Sequence, residues 1–226
     1  QIIKKWQEFF LKGDKQWFSH LDVWAKPFPN KELKKEPVKV IGIFYGRPED
    51  AKTLLQPFLS LGTPSNVVIE SVDWRRSITE FEDSTTVFLT DKPEYKSTGA
   101  FAMQPLPDEA LKIVVDTLQN SPSPLLNFLM FSLGGAIADK KPSDTAYFYR
   151  DAKYFVCYSS QWLKENDDKK NIAELDALRT RLLPYTAGDY IGNPDRSLKD
   201  PLQAYFGDNA ARLREVKRKY DPKNLF

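Results

Sequence analysis

Cysteine and histidine are nearly absent from this chain of 226 residues, which has one of each, Cys157 and His20. A single cysteine excludes an internal disulfide framework and leaves the redox compartment undetermined. A single histidine excludes a histidine-rich metal site, and we predict no metal. A Ser-His-Asp or Cys-His catalytic site would have to use His20, and the surrounding sequence does not support one. His20 is therefore interpreted as a structural or surface residue.

Charge of one sign and long apolar runs are also scarce. The 33 basic and 31 acidic residues leave a net charge of +2, which gives no general bias towards nucleic acid or anionic membranes. The longest apolar run, Leu125 to Leu133, is too short to cross a bilayer. We predict neither a nucleic-acid nor a membrane partner. The basic helix Arg212 to Lys219 leaves nucleic-acid binding as a minor alternative.

No targeting signal is visible at the start, where Gln1 to Lys5 leads directly into an amphipathic helix. An initiator methionine is also missing, so we expect a fragment of a longer protein. The localisation is not determined by the sequence. The cytoplasm is the working expectation, and a secreted or cell-surface position remains an alternative.

Hydrophobic residues make up 41% of the chain and aromatic residues 13%, which is enough for a globular core. The apolar periodicity predicts an α+β fold, in which one antiparallel sheet has helices covering one face. Helices are expected at Ile2 to Phe10 (ending near Gly13), Lys15 to Trp24, Ala51 to Leu61, from Trp74, from Pro107 or Asp108, at Ile172 to Leu183 and after Asp208. Strands are expected at Val38 to Tyr45, Val67 to Val72, Tyr95 to Met103, Leu125 to Phe131, Ala146 to Tyr149 and Tyr154 to Trp162.

Residues that could carry chemistry are few when the sequence is taken alone. No dinucleotide fingerprint or Walker loop occurs, so the chain has no recognisable nucleotide site of its own. The alternation in the last predicted strand places Phe155, Cys157 and Ser159 on one face of the sheet. Without further information, these observations indicate only an α+β domain.

Several longer motifs resemble those of the berberine-bridge-enzyme-like family of flavin-linked oxidases. The C-terminal run AYFGDNAARLREVKRKYDPKNLF is similar to the motif that closes the chain in that family. Further similar stretches are Tyr95-Lys96-Ser97, Gly134-Gly135-Ala136-Ile137 with Thr145-Ala146-Tyr147 and Arg150, the strand Tyr154 to Trp162, and Pro184-Tyr185 through Gly188, Tyr190 and Asp195. The resemblance therefore covers most of the chain.

The resemblance implies a division of labour between two domains. Residues 1–188 would form the substrate-binding α+β domain, as in the substrate domain of FAD-linked oxidases. Residues 189–226 would form a C-terminal segment that packs back towards an upstream FAD-binding domain of the same protein. The implied activity is oxidation of a sugar, alcohol or alkaloid-like small molecule by hydride transfer to FAD, commonly with oxygen as acceptor. Alone, the chain would be inactive, and self-association through its exposed apolar face is an open alternative.

The resemblance also implies roles for individual residues. Tyr190 is the implied catalytic residue and lies near the flavin, with Asn193, Asn224, Gly134 and Gly135 as further cofactor-binding candidates. Phe155, Cys157 and Arg150 are the implied substrate-binding residues. Ordinary structural explanations stay open: Phe155 and Cys157 as core, Gly134-Gly135 as a bend after a strand, and Arg150 as a surface or paired arginine.

Gly192 departs from the family pattern, since an asparagine is usual at its position. Asn193 is one residue further on, and a shift of one residue along a strand turns a side chain to the opposite face. Either the backbone adjusts around Gly192 or the activity is altered. The alternative function is therefore a catalytically altered or inactive family member that acts as a binding or structural protein.

Overall fold

A computed structural model describes residues 1–11, 15–25, 37–85, 94–123, 125–162 and 168–226, which contain both helices and strands. The strands are β1 (Trp17–Trp24), β2 (Val38–Phe44), β3 (Glu94–Ala102), β4 (Asn127–Ser132) and β5 (Tyr154–Trp162). The α-helices are α1 (Ile2–Phe10), α2 (Pro48–Leu59), α3 (Trp74–Thr85), α4 (Asp108–Asn120), α5 (Asp168–Leu182), α6 (Pro201–Phe206) and α7 (Asn209–Tyr220). Gly13, where we expected α1 to end, lies outside the described residues.

The strands form one antiparallel sheet in the order β2-β1-β4-β5-β3. Because side chains alternate along each strand, the register assigns every position to one of two faces. One face packs against α1, α4 and α5 and forms the main hydrophobic core. Fully buried residues of that core include Trp6, Leu21, Phe128, Val156 and Leu175. The predicted α+β fold, with helices covering one face of an antiparallel sheet, is confirmed.

Two buried hydrogen bonds attach α1 to this covered face. The Trp6 indole nitrogen donates to the Ser19 hydroxyl at 3.0 Å, and the Tyr154 hydroxyl donates to the Gln7 carbonyl at 2.6 Å. Buried polar groups need such partners, since an unpaired one costs about 1–3 kcal/mol. These bonds fix how the first helix lies across the sheet. The opposite side of the sheet is called the open face below.

The helix predicted for Lys15 to Trp24 is wrong, because residues 17–24 form strand β1. The prediction rested on apolar residues at helical spacing. In the structure both faces of the strand are buried, so Leu21 and Val23 lie against the core while His20 and Asp22 are buried on the open face. Burial on both sides removes the alternation that normally marks a strand.

Two predicted strands are also absent from the described chain. Val67 to Val72 has no regular secondary structure, and Val68 is 68% exposed. Ala146 to Tyr149 forms an irregular loop in which the Arg150 amide donates to the Phe148 carbonyl at 2.8 Å. Both segments are rich in β-forming residues. A strand, however, requires a neighbouring strand for its backbone hydrogen bonds, and neither segment pairs with one among the described residues.

Gly188 provides a stability test of the packing beside this loop. Its φ is +55°, and an added Cβ would lie 1.8 Å from the Tyr149 hydroxyl oxygen, which donates to the Ala204 carbonyl at 2.7 Å. We expect Gly188→Ala to lower the free energy of unfolding by about 2 kcal/mol or more, because it adds strain and displaces Tyr149. Chemical denaturation measures this. Gly62→Ala is the control, since nothing lies near its added Cβ; equal losses in the two variants would contradict the prediction.

Candidate functional site

The open face carries a row of aromatic rings that crosses four strands. The register aligns His20, Phe131, Phe155 and Phe101 side by side. Adjacent ring centroids are 4.5, 5.9 and 5.3 Å apart in that order. Such separations are typical of favourable ring pairs. This set of four residues is called the aromatic row.

Tyr190 lies at one end of the aromatic row. Its ring centroid is 5.5 Å from that of Phe155 and 6.4 Å from those of Phe101 and Tyr147. Tyr190 is 41% exposed although its ring is packed on three sides. The structure therefore brings together Tyr190 and Phe155, which the sequence predicted as separate parts of one site. Tyr147 was quoted only as part of a motif, and its place beside Tyr190 was not predicted.

Next to the aromatic row lies a small polar cluster formed by Ser97, Asn193 and Cys157. The Ser97 hydroxyl donates to the Asn193 side-chain oxygen at 2.6 Å, and the Asn193 amide nitrogen donates to the Cys157 sulfur at 3.3 Å. The Ser97 oxygen is also 3.5 Å from that sulfur. We call these residues the Ser97 cluster. It connects strands β3 and β5 to the segment that carries Tyr190.

Asn193 reaches the sheet because residues 190–193 form a turn. Its backbone amide donates to the Tyr190 carbonyl at 2.9 Å, the bond that closes a four-residue β-turn. In a strand, an asparagine at position 193 instead of 192 would point to the opposite face of the sheet. That argument does not apply here, because residues 190–193 form a turn. Gly192 has a separate steric role, since an added Cβ would lie 2.6 Å from a ring carbon of Tyr190.

Arg179, on helix α5, holds the other side of this turn. Its guanidinium donates to Asp189 at 3.1 Å and to the Thr98 hydroxyl at 3.0 Å, and also to the Gly99 carbonyl. The Asp189 side chain is fully buried, and its other oxygen accepts from the Tyr190 amide at 2.7 Å. One buried ion pair therefore attaches the start of the turn to β3 and α5.

Asp195 continues this attachment beyond the turn. It accepts from the Thr98 hydroxyl at 2.5 Å and from the Ser197 hydroxyl at 2.7 Å. Its backbone amide donates to the Tyr205 hydroxyl at 2.9 Å. Burial alone would raise the pKa of Asp195, but the hydrogen bonds from Thr98 and Ser197 outweigh burial and lower it. The segment that follows Tyr190 is thus fixed to the sheet by polar contacts.

The Cys157 thiol and the Tyr147 hydroxyl, which lie beside the aromatic row, are neutral at neutral pH. Burial raises the pKa of the Cys157 thiol to about 11, and hydrogen bonds from Ser97 and Asn193 only partly oppose it. Burial likewise raises the pKa of Tyr147 to about 12. A protonated thiol is a poor nucleophile, so the structure favours Cys157 as a packing and hydrogen-bonding residue.

Asp189 is expected to make stability depend on pH. Burial raises its pKa to about 6, against the opposing effects of the Tyr190 amide and Arg179. The folded state then binds a proton more tightly than the unfolded state, so this contribution is fully present below about pH 4 and is lost as the pH rises through 6. Its size is roughly 2–3 kcal/mol at about 1.4 kcal/mol per pKa unit.

Denaturation of the wild type and of Asp189→Asn between pH 4 and 7 tests this expectation. The wild type should lose stability relative to the variant as the pH rises. Asp195→Asn is the control: the lowered pKa of Asp195 gives a contribution that is lost only as the pH falls below about 4, so its difference from the wild type should change little between pH 4 and 7. The idea would be abandoned if the Asp189→Asn difference were independent of pH.

His20 is buried in β1, with its ring stacked nearly parallel to Phe131 at an interplanar angle of 10°. Burial, with a smaller effect from Lys39, lowers its pKa to about 4, so the imidazole is neutral near pH 7. This position agrees with a structural role, although in a strand instead of the expected helix. Its membership of the aromatic row was not predicted, because a helix would not have aligned it with Phe131.

The Arg150 side chain is engaged by contacts within the protein. Its side chain donates to the Thr145 hydroxyl at 2.6 Å and to the carbonyls of Tyr147 and Ile137 at 3.3 and 3.4 Å, and its guanidinium lies 4.8 Å from the Tyr147 ring centroid. These contacts favour the paired-arginine explanation. Arg150 thereby shapes the loop that positions Tyr147 beside Tyr190.

The remaining cofactor-binding candidates lie at turns. Gly134 and Gly135 follow Leu133, the first residue after β4, and have φ values of +102° and +50°, which glycine adopts readily. Asn224 lies near the C-terminus with φ of +52°, and its amide donates to the Asp221 carbonyl at 3.1 Å. Within the described residues, no hydrogen bond or ring contact joins Asn224 to the Tyr190 turn. The cofactor roles of these three residues remain predictions.

The described part of the chain has no grouping of three or more histidine, cysteine or acidic side chains that could hold a metal ion. Its longest helix, Asp168–Leu182, has 15 residues. No described helix combines the length and the apolar character that a membrane span requires.

Known proteins resemble this chain in sequence. Residues 189–226 match the family model described as "Berberine and berberine like". The chain is 28% identical over its full length to an uncharacterized FAD-linked oxidoreductase, YgaK, from Bacillus subtilis, of which it covers 48%. It is 29% identical to a chitooligosaccharide oxidase from Gibberella zeae, with 86% of this chain and 43% of that protein aligned. The chain spans about half the length of these curated relatives.

Solved structures share the fold. The structure of a chitooligosaccharide oxidase superposes with a TM-score of 0.79 at 22% identity, over all of this chain and 50% of the other. Berberine bridge enzyme from Eschscholzia californica superposes with a TM-score of 0.78 at 19% identity, again over all of this chain and 50% of the other.

In sequence, this chain is similar to FAD-linked oxidoreductases along its full length. More narrowly, its residues 189–226 match the berberine family model, so the resemblance predicted from its motifs is confirmed.

Proposed function

We propose that the chain is the substrate-binding and C-terminal part of an FAD-dependent oxidoreductase that oxidises a sugar, alcohol or alkaloid-like small molecule. The observation that carries the proposal is the partly exposed Tyr190, fixed on the aromatic row of the open face. Relatives named as chitooligosaccharide oxidase and carbohydrate oxidase support oxidation of a carbon that bears a hydroxyl group.

The open face is suited to form one wall of a flavin site. Tyr190 offers a partly exposed aromatic ring that lies against the buried Phe155, and the Cys157 thiol beside them stays protonated. Such a surface can lie against a planar ring system. The sequence has no phosphate-binding fingerprint, so an upstream domain of the same protein would hold most of the FAD.

When bound, FAD would supply the hydride acceptor; the substrate carbon would lose a hydride and its oxygen or nitrogen a proton, which gives a carbonyl or an imine. The residues of this chain provide placement and a route for the proton. In this proposal the Tyr190 hydroxyl relays a proton: its oxygen accepts the proton that the substrate hydroxyl loses and releases its own phenolic proton to solvent. The aromatic row and Tyr147 exclude water from one side of the substrate.

The proposed domain division follows the same reasoning. Residues 1–188 would bind substrate, and residues 189–226 would pack back towards the FAD domain. Leu225 and Phe226 are 74% and 98% exposed, which gives this segment apolar surface for such a contact. Self-association of the chain through exposed apolar surface would be an alternative use of it.

Purification of the full-length protein with added FAD tests the function. We expect flavin absorbance that co-purifies with the protein and is bleached anaerobically by an oxidisable sugar, alcohol or alkaloid-like amine. A colourless protein after FAD supplementation would overturn the proposal. The separated chain of 226 residues is expected to be inactive under the same conditions.

A catalytically altered member remains the second candidate, because Gly192 replaces the usual asparagine. The structure predicts that a side chain at this position harms the site: the Cβ would displace the Tyr190 ring. We expect Gly192→Ala to lower kcat about tenfold or more in an active protein, since small displacements of reacting groups have large effects. An increase in kcat would instead indicate that glycine had impaired an ancestral site. Steady-state kinetics distinguishes these outcomes.

A further inference from the structure

The turn that carries Tyr190 is held by hydrogen bonds at both of its ends, and only the first end includes an ion pair. At the first end, Asp189 accepts from the Tyr190 amide and is paired with Arg179. At the second end, Asn193 closes the turn through its backbone and makes its side-chain contacts with two strands of the sheet. The second end is therefore the neutral Ser97 cluster.

The Ser97 cluster joins residues that are far apart in sequence but fixed by the sheet. Ser97 and Asn193 are 96 positions apart, and Cys157 and Asn193 are 36 apart. Ser97 is directly opposite Ser159, and Cys157 is directly opposite Gly99, in the β3–β5 pairing. Because β3 and β5 pair continuously along this stretch, the cluster anchors the turn to a rigid support.

The geometry of the turn transmits this anchor to Tyr190. Asn193 and Tyr190 are its fourth and first residues, and their backbones share one hydrogen bond of 2.9 Å. Gly192 between them leaves room for the Tyr190 ring to lie over the turn and against Phe155. Loss of the side-chain contacts of Asn193 would free one end of the turn and let the ring leave that position.

We infer that Ser97 and Cys157 are positioning residues that act through Asn193 to hold the Tyr190 hydroxyl in place for proton transfer. This inference rests on the proposed function. It predicts that Ser97 and Cys157 affect the rate of the reaction without any need to touch the substrate. It also gives Asn193 a role towards the protein's own sheet, beyond its expected contact with the cofactor.

Two kinds of measurement on the full-length protein test the inference. Hydrogen exchange followed by mass spectrometry reports on the turn without any need for turnover. We expect Asn193→Ala and Ser97→Ala to speed exchange of amides in residues 190–193 about tenfold, while peptides of α5 exchange as in the wild type. Ser97→Thr keeps the hydroxyl and should restore protection. Unchanged exchange in both alanine variants would overturn the inference.

Kinetics tests the consequence for Tyr190. Asn193→Ala should lower kcat about 10- to 100-fold with little change in KM, because misplacement of a proton acceptor affects the transition state more than binding. In the Tyr190→Phe background the same substitution should have almost no further effect, since both act on one hydroxyl group. Additive losses would show that Asn193 acts elsewhere and would overturn the inference.

The outcomes separate this inference from the proposed function. Absence of flavin and of turnover in the wild type contradicts the proposed function and the catalytic consequence, while the exchange data still decide whether the cluster holds the turn. Suppose instead that the wild type turns over normally and that Asn193→Ala exchanges faster but keeps the wild-type kcat. The proposed function would then stand, and the positioning role would be overturned.

Cys157→Ser, which keeps a polar acceptor, should retain most of the activity, whereas Cys157→Ala should not.

Discussion

Replacement of Arg179 by methionine is expected to lower the free energy of unfolding by about 3–5 kcal/mol, the range for breaking a buried ion pair. The Arg179 side chain is 13% exposed and that of Asp189 is fully buried, so the substitution leaves a carboxylate without its cation. It also removes donors from the Thr98 hydroxyl and the Gly99 carbonyl. Denaturant titration at pH 7 measures the loss.

The pH dependence of this loss is a stringent check. Because burial already raises the pKa of Asp189 to about 6, removal of Arg179 should favour protonation further, and the cost should shrink at pH 5. Arg181→Met, on the same helix, is the control, since Arg181 makes one exposed hydrogen bond of 3.5 Å to Thr117. The control should stay within about 0.5 kcal/mol of the wild type. A similar, small effect of both substitutions would show that the buried pair does not hold the turn.

Replacement of Tyr190 by phenylalanine is expected to lower kcat about 10²- to 10⁴-fold, the usual contribution of a positioned acid or base. The change removes only the hydroxyl group, so the ring contacts with Phe155, Phe101 and Tyr147 should persist. FAD content and thermal stability should therefore remain close to those of the wild type. Single-turnover reduction of the flavin by substrate measures the chemical step directly.

Tyr220→Phe serves as the matched control for this experiment. Tyr220 lies on α7 and is 73% exposed, and its loss of a hydroxyl group should leave the rate unchanged. If Tyr190→Phe reduced flavin at the wild-type rate, Tyr190 would be a wall of the site and not a participant in proton transfer. A rate loss accompanied by loss of bound FAD would instead assign Tyr190 to cofactor binding.

The elements that sequence predicted correctly have a clear local pattern. The helix from Asp108 has apolar residues at helical spacing and begins after a proline, and β5 alternates cleanly from Tyr154 to Trp162. Strand β1 was missed because residues on both of its faces are buried, which its sequence does not show as an alternation of apolar and polar residues. The spacing of apolar residues in the sequence identifies an element that is buried on one side, but it does not identify a strand that is buried on both sides.

The candidate site was predicted in part. Tyr190, Phe155 and Cys157 were chosen from motifs, and the structure places them within one continuous surface. Arg179 and Ser97 were not chosen, because their importance depends on partners that are distant in sequence. Arg179 contacts Thr98 across 81 positions, and a helix surface pattern does not reveal such a contact.

Sequence alone determined the family that this protein resembles and most of its helices and strands. Motifs, helix starts and the alternation of apolar and polar residues in strands are properties of neighbouring residues. Only the tertiary structure decided that residues 190–193 form a turn, that Asn193 faces the sheet, and that Gly192 makes room for Tyr190. The physical reason is that these positions depend on hydrogen bonds and steric contacts closed by the fold, which join strands, a helix and a turn separated by tens of residues.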